Sequence, residues 1–224
     1  MTTTIRAMLR TLVLAALLGA VLAGAALAGD PVQRHTAPDM ARAKAIGFQR
    51  SDFPAGWTAK PSTPVTTASE TCKGFDPDES DLVETGKVNS SQFIAPDGYS
   101  QVFSTVGIFQ TVAQAKASWS REVKPAMLAC FSELVTKSSP PGSTIYELTR
   151  GTLPFPKVAP RLAAYRLVIG VAPKGAAASV KLYLDLVLLG AARANVATIM
   201  FGVAQPYPAT FEQKLARAIA HRLG

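Results

Sequence analysis

Five acids crowd into nine residues at Asp76, Asp78, Glu79, Asp81 and Glu84. Clustered carboxylates suit a hard cation such as calcium. The spacing does not follow an EF-hand loop: Asp81 stands where the turn glycine belongs, and Lys87 where the bidentate glutamate belongs. The run therefore reads as a solvated acidic loop, or as the start of a helix with its acids near the positive end of the dipole. No metal ligand is assigned. The chain has two histidines, His35 and His221, far apart in sequence, and two cysteines, Cys72 and Cys130. A cysteine nucleophile needs a base beside it, and neither histidine is placed for that by sequence. Gly-x-Ser-x-Gly, Ser-x-x-Lys, His-Glu-x-x-His and a glycine-rich phosphate loop are all missing. No catalytic or cofactor-binding residue is assigned. Acid–base chemistry would fall to a carboxylate pair of the glycosidase kind. Asp185 is a candidate member, though a pairing with Lys181 or Arg166 on an exposed sheet face accounts for it as well.

The elements that must position these residues begin after an export signal. Arg6 and Arg10 precede an apolar or small-residue run over 11–27, and Ala26-Leu27-Ala28 is a small-x-small cleavage pattern. Cleavage is expected after Ala28; an uncleaved segment would instead anchor the chain to a membrane. The run falls just short of the roughly 20 residues of a spanning helix. The mature part keeps 196 residues, with 21 basic and 15 acidic side chains and a net charge of +6. That excess suits anionic envelope surfaces. No basic stripe with stacking aromatics suggests nucleic acid. Two cysteines in an exported chain are expected to pair. A Cys72–Cys130 bridge would close a loop of about 59 residues, worth roughly 4 kcal/mol in the chain-entropy model.

Residues 29–38 read as a flexible leader and 39–224 as a single α+β domain. A short helix over 39–48, capped by Asp39, leads to Asp52-Phe53-Pro54-Ala55-Gly56-Trp57. Trp57 is either a ligand-facing aromatic or, the reading favoured here, part of a plug that pins the first helix to the core. Strands are expected over 88–94 and 101–109, joined by the Ala95-Pro96-Asp97-Gly98 turn. A long helix over 111–138 follows, with an apolar stripe through Ala115, Trp119 and Val123, then Met127, Phe131 and Leu134. Thr111 and Gln114 have capping-box spacing, and Pro125 kinks or restarts the helix. Four more strands read over 144–152, 163–171, 180–188 and 194–203, with Gly190 turning the chain between the last two. A final helix follows Pro208, with Phe211, Leu215 and Ile219 on one face. The expected fold is α+β: an antiparallel sheet of about six strands, packed in two layers by a long Pro-kinked helix and a C-terminal helix, with one disulfide.

The signal, the Asp52–Trp57 motif, Cys72, Val102-Phe103 and the helix carrying Cys130 together resemble uncharacterised secreted proteins and lipoproteins of high-GC Gram-positive bacteria. Some of those are sensor-like extracellular domains, and several resemble the PsbP-type α/β/α sandwich. This chain differs from the lipoproteins in having no lipid-bearing cysteine, and from the kinase sensors in having no kinase. The resemblance implies a fold and an envelope location, and little chemistry. With 48% hydrophobic residues, the leading expectation is an exported, non-catalytic binding or sensor-type domain for a small or amphiphilic ligand held between helix and sheet. The alternatives are a module for envelope protein or anionic polymer, and a carboxylate-based hydrolase.

Overall fold

A computed structural model describes residues 29–62, 74–137, 142–173 and 179–224. Ala28 and Cys72 lie outside the described residues, and so do the expected cleavage site and the expected Cys72–Cys130 bridge.

Nine strands make one sheet. They are β1 (Val32–Gln33), β2 (Thr58–Lys60), β3 (Val83–Asn89), β4 (Gln92–Ile94), β5 (Gln101–Phe109), β6 (Ser143–Thr152), β7 (Arg161–Pro173), β8 (Val180–Ala191) and β9 (Ala194–Val203). Among the described residues, four α-helices accompany them: α1 (Ala37–Ile46), α2 (Val112–Glu122), α3 (Pro125–Lys137) and α4 (Ala209–Leu223). The strand order is β1-β3-β5-β9-β8-β7-β6, with β4 also paired to β5 and β2 paired to β4. Every pairing is antiparallel except β1 with β3. None of the described helices is long and apolar enough to cross a membrane.

This corrects the expected fold class in three respects. The fold is a mixed α/β one with nine strands, not about six. Helices cover both faces of the sheet, so there are three layers, not two. The long helix, expected to kink or restart at Pro125, is two separate helices. The reason for the second helical layer lies in β8. Leu182, Leu184, Leu186 and Leu188 are buried on one face, and Val187 and Leu189 on the other. A central strand apolar on both sides must be covered on both. On the first face Val102, Val106, Val187, Leu189 and Met200 pack with Ala43 and Ile46 of α1 and Leu215, Ile219 and Leu223 of α4. On the second, Leu167, Ile169, Leu184, Leu186 and Phe201 pack with Met127, Leu128 and Leu134 of α3, with Trp119 of α2 beside them.

Local chemistry sets the helix ends. Thr36, not Asp39, caps α1, its Oγ1 accepting from the Asp39 amide at 3.3 Å. Asp39 is thereby freed to take a two-point ion pair from Arg193, at 2.8 and 3.1 Å. Thr111 caps α2 as expected, accepting from the Gln114 amide at 3.2 Å. The Gln114 side chain does not return the bond; its Oε1 accepts from the Val83 amide at 3.4 Å. Pro125 cannot donate to a preceding turn, so α2 stops at Glu122 and Pro125 becomes the first residue of α3. Residues 29–38, read above as a leader, contain β1 and the first two residues of α1.

The acidic run does not start a helix. It leads into β3, which begins at Val83, five residues before the expected strand. A register shift between Glu84 and Gly86 then matters. Glu84 pairs with Phe109, Gly86 with Ile108 and Lys87 with Gly107. Strict alternation would send Glu84 and Lys87 to opposite faces; the bulge puts both on the face under α2. Gly86 faces the other way, against α1. A Cβ there would stand 2.7 Å from both the carbonyl carbon and oxygen of Asp39. Backbone cannot yield as a side chain does, so Gly86→Ala is expected to push α1 off the sheet and cost about 1–3 kcal/mol. Urea unfolding of the variant checks this, and an unchanged midpoint would contradict the packing.

Candidate functional site

A cavity of about 380 Å³ lies where α2 and α3 cross the β3–β5–β9 end of the sheet. Residues 29–33 and the 75–79 segment bound it on the outer side. Much of the wall is apolar: Phe75, Phe109, Trp119, Met127, Phe131 and Leu186. Set into that wall are Glu79, Glu84, Glu122 and Lys87.

Each carboxyl arrives by a different route. Glu84 comes from β3 through the bulge, and its side chain is 4% exposed. Its Oε2 takes no hydrogen bond; His35 Nε2 stands 3.9 Å away and Lys87 Nζ 3.7 Å away. Burial pushes this carboxyl above its ordinary range, against the opposing pull of Lys87 and His35, with Glu79 adding to the rise. Glu79 comes from the acidic loop, 6% exposed, and its Oε1 also has no hydrogen-bond partner. Burial raises it as well, opposed by Ser118, Arg121 and Lys87. The loop is strapped down by Arg121 of α2, which donates to the Asp78 carbonyl at 2.8 Å and pairs both Asp81 oxygens, one at 2.9 Å. With Asp78 and Asp81 held outside, Glu79 is turned in. Glu122 comes from the last turn of α2. It is exposed and is one of the residues lining the cavity. The protein packed around it pushes its carboxyl above the ordinary range, with the charges of Glu79 and Glu84 adding and Lys87 opposing, and its contact with solvent moderates that rise.

The helix that carries Glu122 is fixed in place. Asn195 of β9 donates to the Ala115 carbonyl at 2.9 Å. Arg161 donates to Asn195 Oδ1 at 3.1 Å and stands 6.0 Å from the Trp119 ring centre, in cation–π range.

Trp57 is elsewhere. It is buried in the core on the opposite sheet face, its ring centre 5.4 Å from Phe211 and 6.1 Å from Tyr207. Phe53 stacks on Phe93 at 4.1 Å beside it, the plug arrangement. Cys130 is buried in α3 against the sheet. Asp185 does pair with Arg166, as one sequence reading had it, yet on a buried face: Arg166 bonds Asp185 at 2.7 Å and Glu212 of α4 at 3.1 Å. Lys181 pairs with Glu147 instead, at 2.9 Å. His221 lies exposed in the last turn of α4. The residue that sequence reasoning missed is Glu122. The sequence offered only its spacing, four residues after Ser118 beside the Trp119 stripe; that Ser118 is buried, at 1% exposed, appears only in the structure.

The arrangement can hold a small molecule with an apolar body and a polar head. Among the described residues no group of three or more His, Cys, Asp or Glu is placed to hold a metal ion. What the fold and cavity define is a mixed α/β domain with an acid-lined apolar chamber between sheet and helices. No family model matches the chain, and no match was found among curated proteins or solved structures.

Proposed function

We propose that this is an exported cell-envelope binding or sensor-type domain, non-catalytic, that takes a small amphiphilic ligand into the chamber beside Trp119. The observation that carries the reading is the combination of an aromatic wall with buried carboxyl oxygens that have no hydrogen-bond partner, in a space of about 380 Å³. Small-ligand pockets run from about 300 to 1,000 Å³ and combine apolar walls with a few polar groups. The signal-like segment over 1–28 and the positive net charge support the envelope location.

A carboxylate hydrolase would draw on the same acids, with Glu122 across from Glu79 and Glu84. Acid–base pairs work when their surroundings push the two groups apart, one staying ionised and one protonated. Here the wall around the acids is largely aromatic and aliphatic, which serves an apolar ligand body and has no part in such chemistry, so binding is favoured.

The test uses Trp57→Phe, leaving Trp119 as the sole tryptophan. Titration with 1-octanol is expected to shift Trp119 emission saturably. Ala197→Phe, which fills the chamber from β9, is expected to abolish the shift without lowering the thermal midpoint by more than a few degrees. No saturable shift in the parent protein removes this reading.

A further inference from the structure

Resting on that binding reading, we propose that the polar head of the ligand is an organic cation, an ammonium group carried on a short apolar chain.

The first support is geometric. Glu79 Oε1 is buried and without a hydrogen bond, and Glu84 Oε2 beside it has only the longer ion pairs to Lys87 and His35, at 3.7 and 3.9 Å; both residues line the chamber. A buried polar atom with no hydrogen bond is costly, so the Glu79 oxygen marks where a donor belongs. An ammonium has three N–H donors and no acceptor, so it brings donors to these carboxyls without adding an acceptor that would itself need a partner.

The second support is charge. Glu79 and Asp30 on the outer segments, Glu84 on β3 and Glu122 on α2 are the acidic groups that line the space; Lys87 on β3 is the lining cation. His35 stands beside Glu84, and Arg121 acts on Glu79 from the outer side while paired to Asp81. An anionic head would meet these acids and be repelled. A neutral head would satisfy hydrogen bonds but gain nothing from the charge that Glu79, Glu84 and Glu122 can carry. A cation gains both. Trp119, Phe75, Phe109 and Phe131 give it aromatic surface, which attracts organic cations and packs their chains. A bare metal ion finds neither the ligand grouping nor a use for that wall.

The third support is the proton. Glu122, its carboxyl pushed up beside Glu79 and Glu84, holds its proton more tightly than a free carboxyl and must give it up to face an ammonium. Binding should therefore release protons and strengthen as pH rises towards 8. An alkylammonium stays charged there, since its ordinary value is near that of lysine, about 10.4.

The experiment compares octylammonium chloride, 1-octanol, sodium octanoate and calcium chloride by calorimetry, at pH 6.5 and 8.5, on the parent protein and on Glu122→Gln. Gln copies the protonated carboxyl, so that variant is expected to fold. Octylammonium should bind at least tenfold tighter than octanol at pH 8.5, with several-fold less advantage at pH 6.5. Its heat should differ between phosphate and Tris, the sign of released protons. Glu122→Gln should cut octylammonium affinity about tenfold and leave octanol unchanged; Glu79→Gln should act in the same direction. Equal affinity for octanol and octylammonium, or preference for octanoate, overturns the cation while leaving the chamber as a binding site. Tighter binding of calcium than of octylammonium replaces an organic with an inorganic cation and also overturns it. Binding of none of the four overturns this inference and the function reading together.

Discussion

Arg166→Met should destabilise the protein by about 3–5 kcal/mol at pH 8, the scale on which removing one partner of a buried ion pair acts. Arg166 reaches from β7 to Asp185 on β8 and Glu212 on α4, at 2.7 and 3.1 Å. The two carboxyl side chains are 1% and 2% exposed. Met keeps much of the stem's packing and removes the charge. The two acids are then left against the sheet with no cation, and α4 loses its polar tie to the middle of the sheet. Protonation relieves the loss, so the penalty should be markedly smaller at pH 5. Urea unfolding at the two pH values measures both. An equal penalty at pH 5 and 8 would mean that packing, not charge, is what Arg166 supplies. Glu212→Gln is the control. Arg166 and Asp185 stay paired, so little stability should be lost at pH 7.

Stability itself should be greatest near pH 5 and fall towards pH 8. Burial pushes Glu212 up to about 8, Asp185 adding to the rise and Arg166 opposing it. Below about 4.5 the group is protonated in both folded and unfolded chains. Between there and about 8 the unfolded chain gives up the proton while the folded one holds it. Unfolding then releases a proton, and stability drops by up to about 1.4 kcal/mol per pH unit. Glu79, Glu84 and Glu122 are raised as well and act in the same direction, Glu122 to a lesser degree because its surface is open to the chamber. On the acid side the sign reverses. Arg193 holds Asp39 below the usual carboxylate range, so that contribution is lost as pH falls below about 4. Denaturant midpoints from pH 4 to 9 draw the curve. Glu212→Gln should flatten its alkaline limb, and a parent curve flat from pH 5 to 8 would show Glu212 ionising normally.

Much of the secondary structure was legible because it is local. β5 and β9 begin and end where the sequence places them, and Thr111 caps α2 as its spacing promises. Apolar alternation and capping are short-range signals that need no knowledge of the rest of the chain. Single residues were misread where a neighbour in space decided. Asp39 looked like a cap, but Thr36 caps α1 and Arg193 from the β8–β9 turn takes Asp39. Gly190 looked like that turn, but β8 runs on to Ala191 and the turn falls at Ala192, which takes a positive φ of 42°. Val187 and Leu189 carried the second helical layer in plain view, masked by the clearer alternation of their even-numbered neighbours.

The chamber was not legible in that way. By itself the chain determined the strands near its centre, the helical faces, the acidic run and the absence of familiar catalytic motifs, all of which depend on residue type and near spacing. Only the tertiary structure decided that Glu79, Glu84 and Glu122 share one space. A one-residue bulge in β3 sets the side on which Glu84 emerges, an Arg121 strap turns Glu79 inward, and the break before Pro125 ends α2 with Glu122 over the sheet. A bulge, a strap and a helix end each depend on partners distant in sequence, and burial, which makes those acids unusual, exists only once the chain has closed around them.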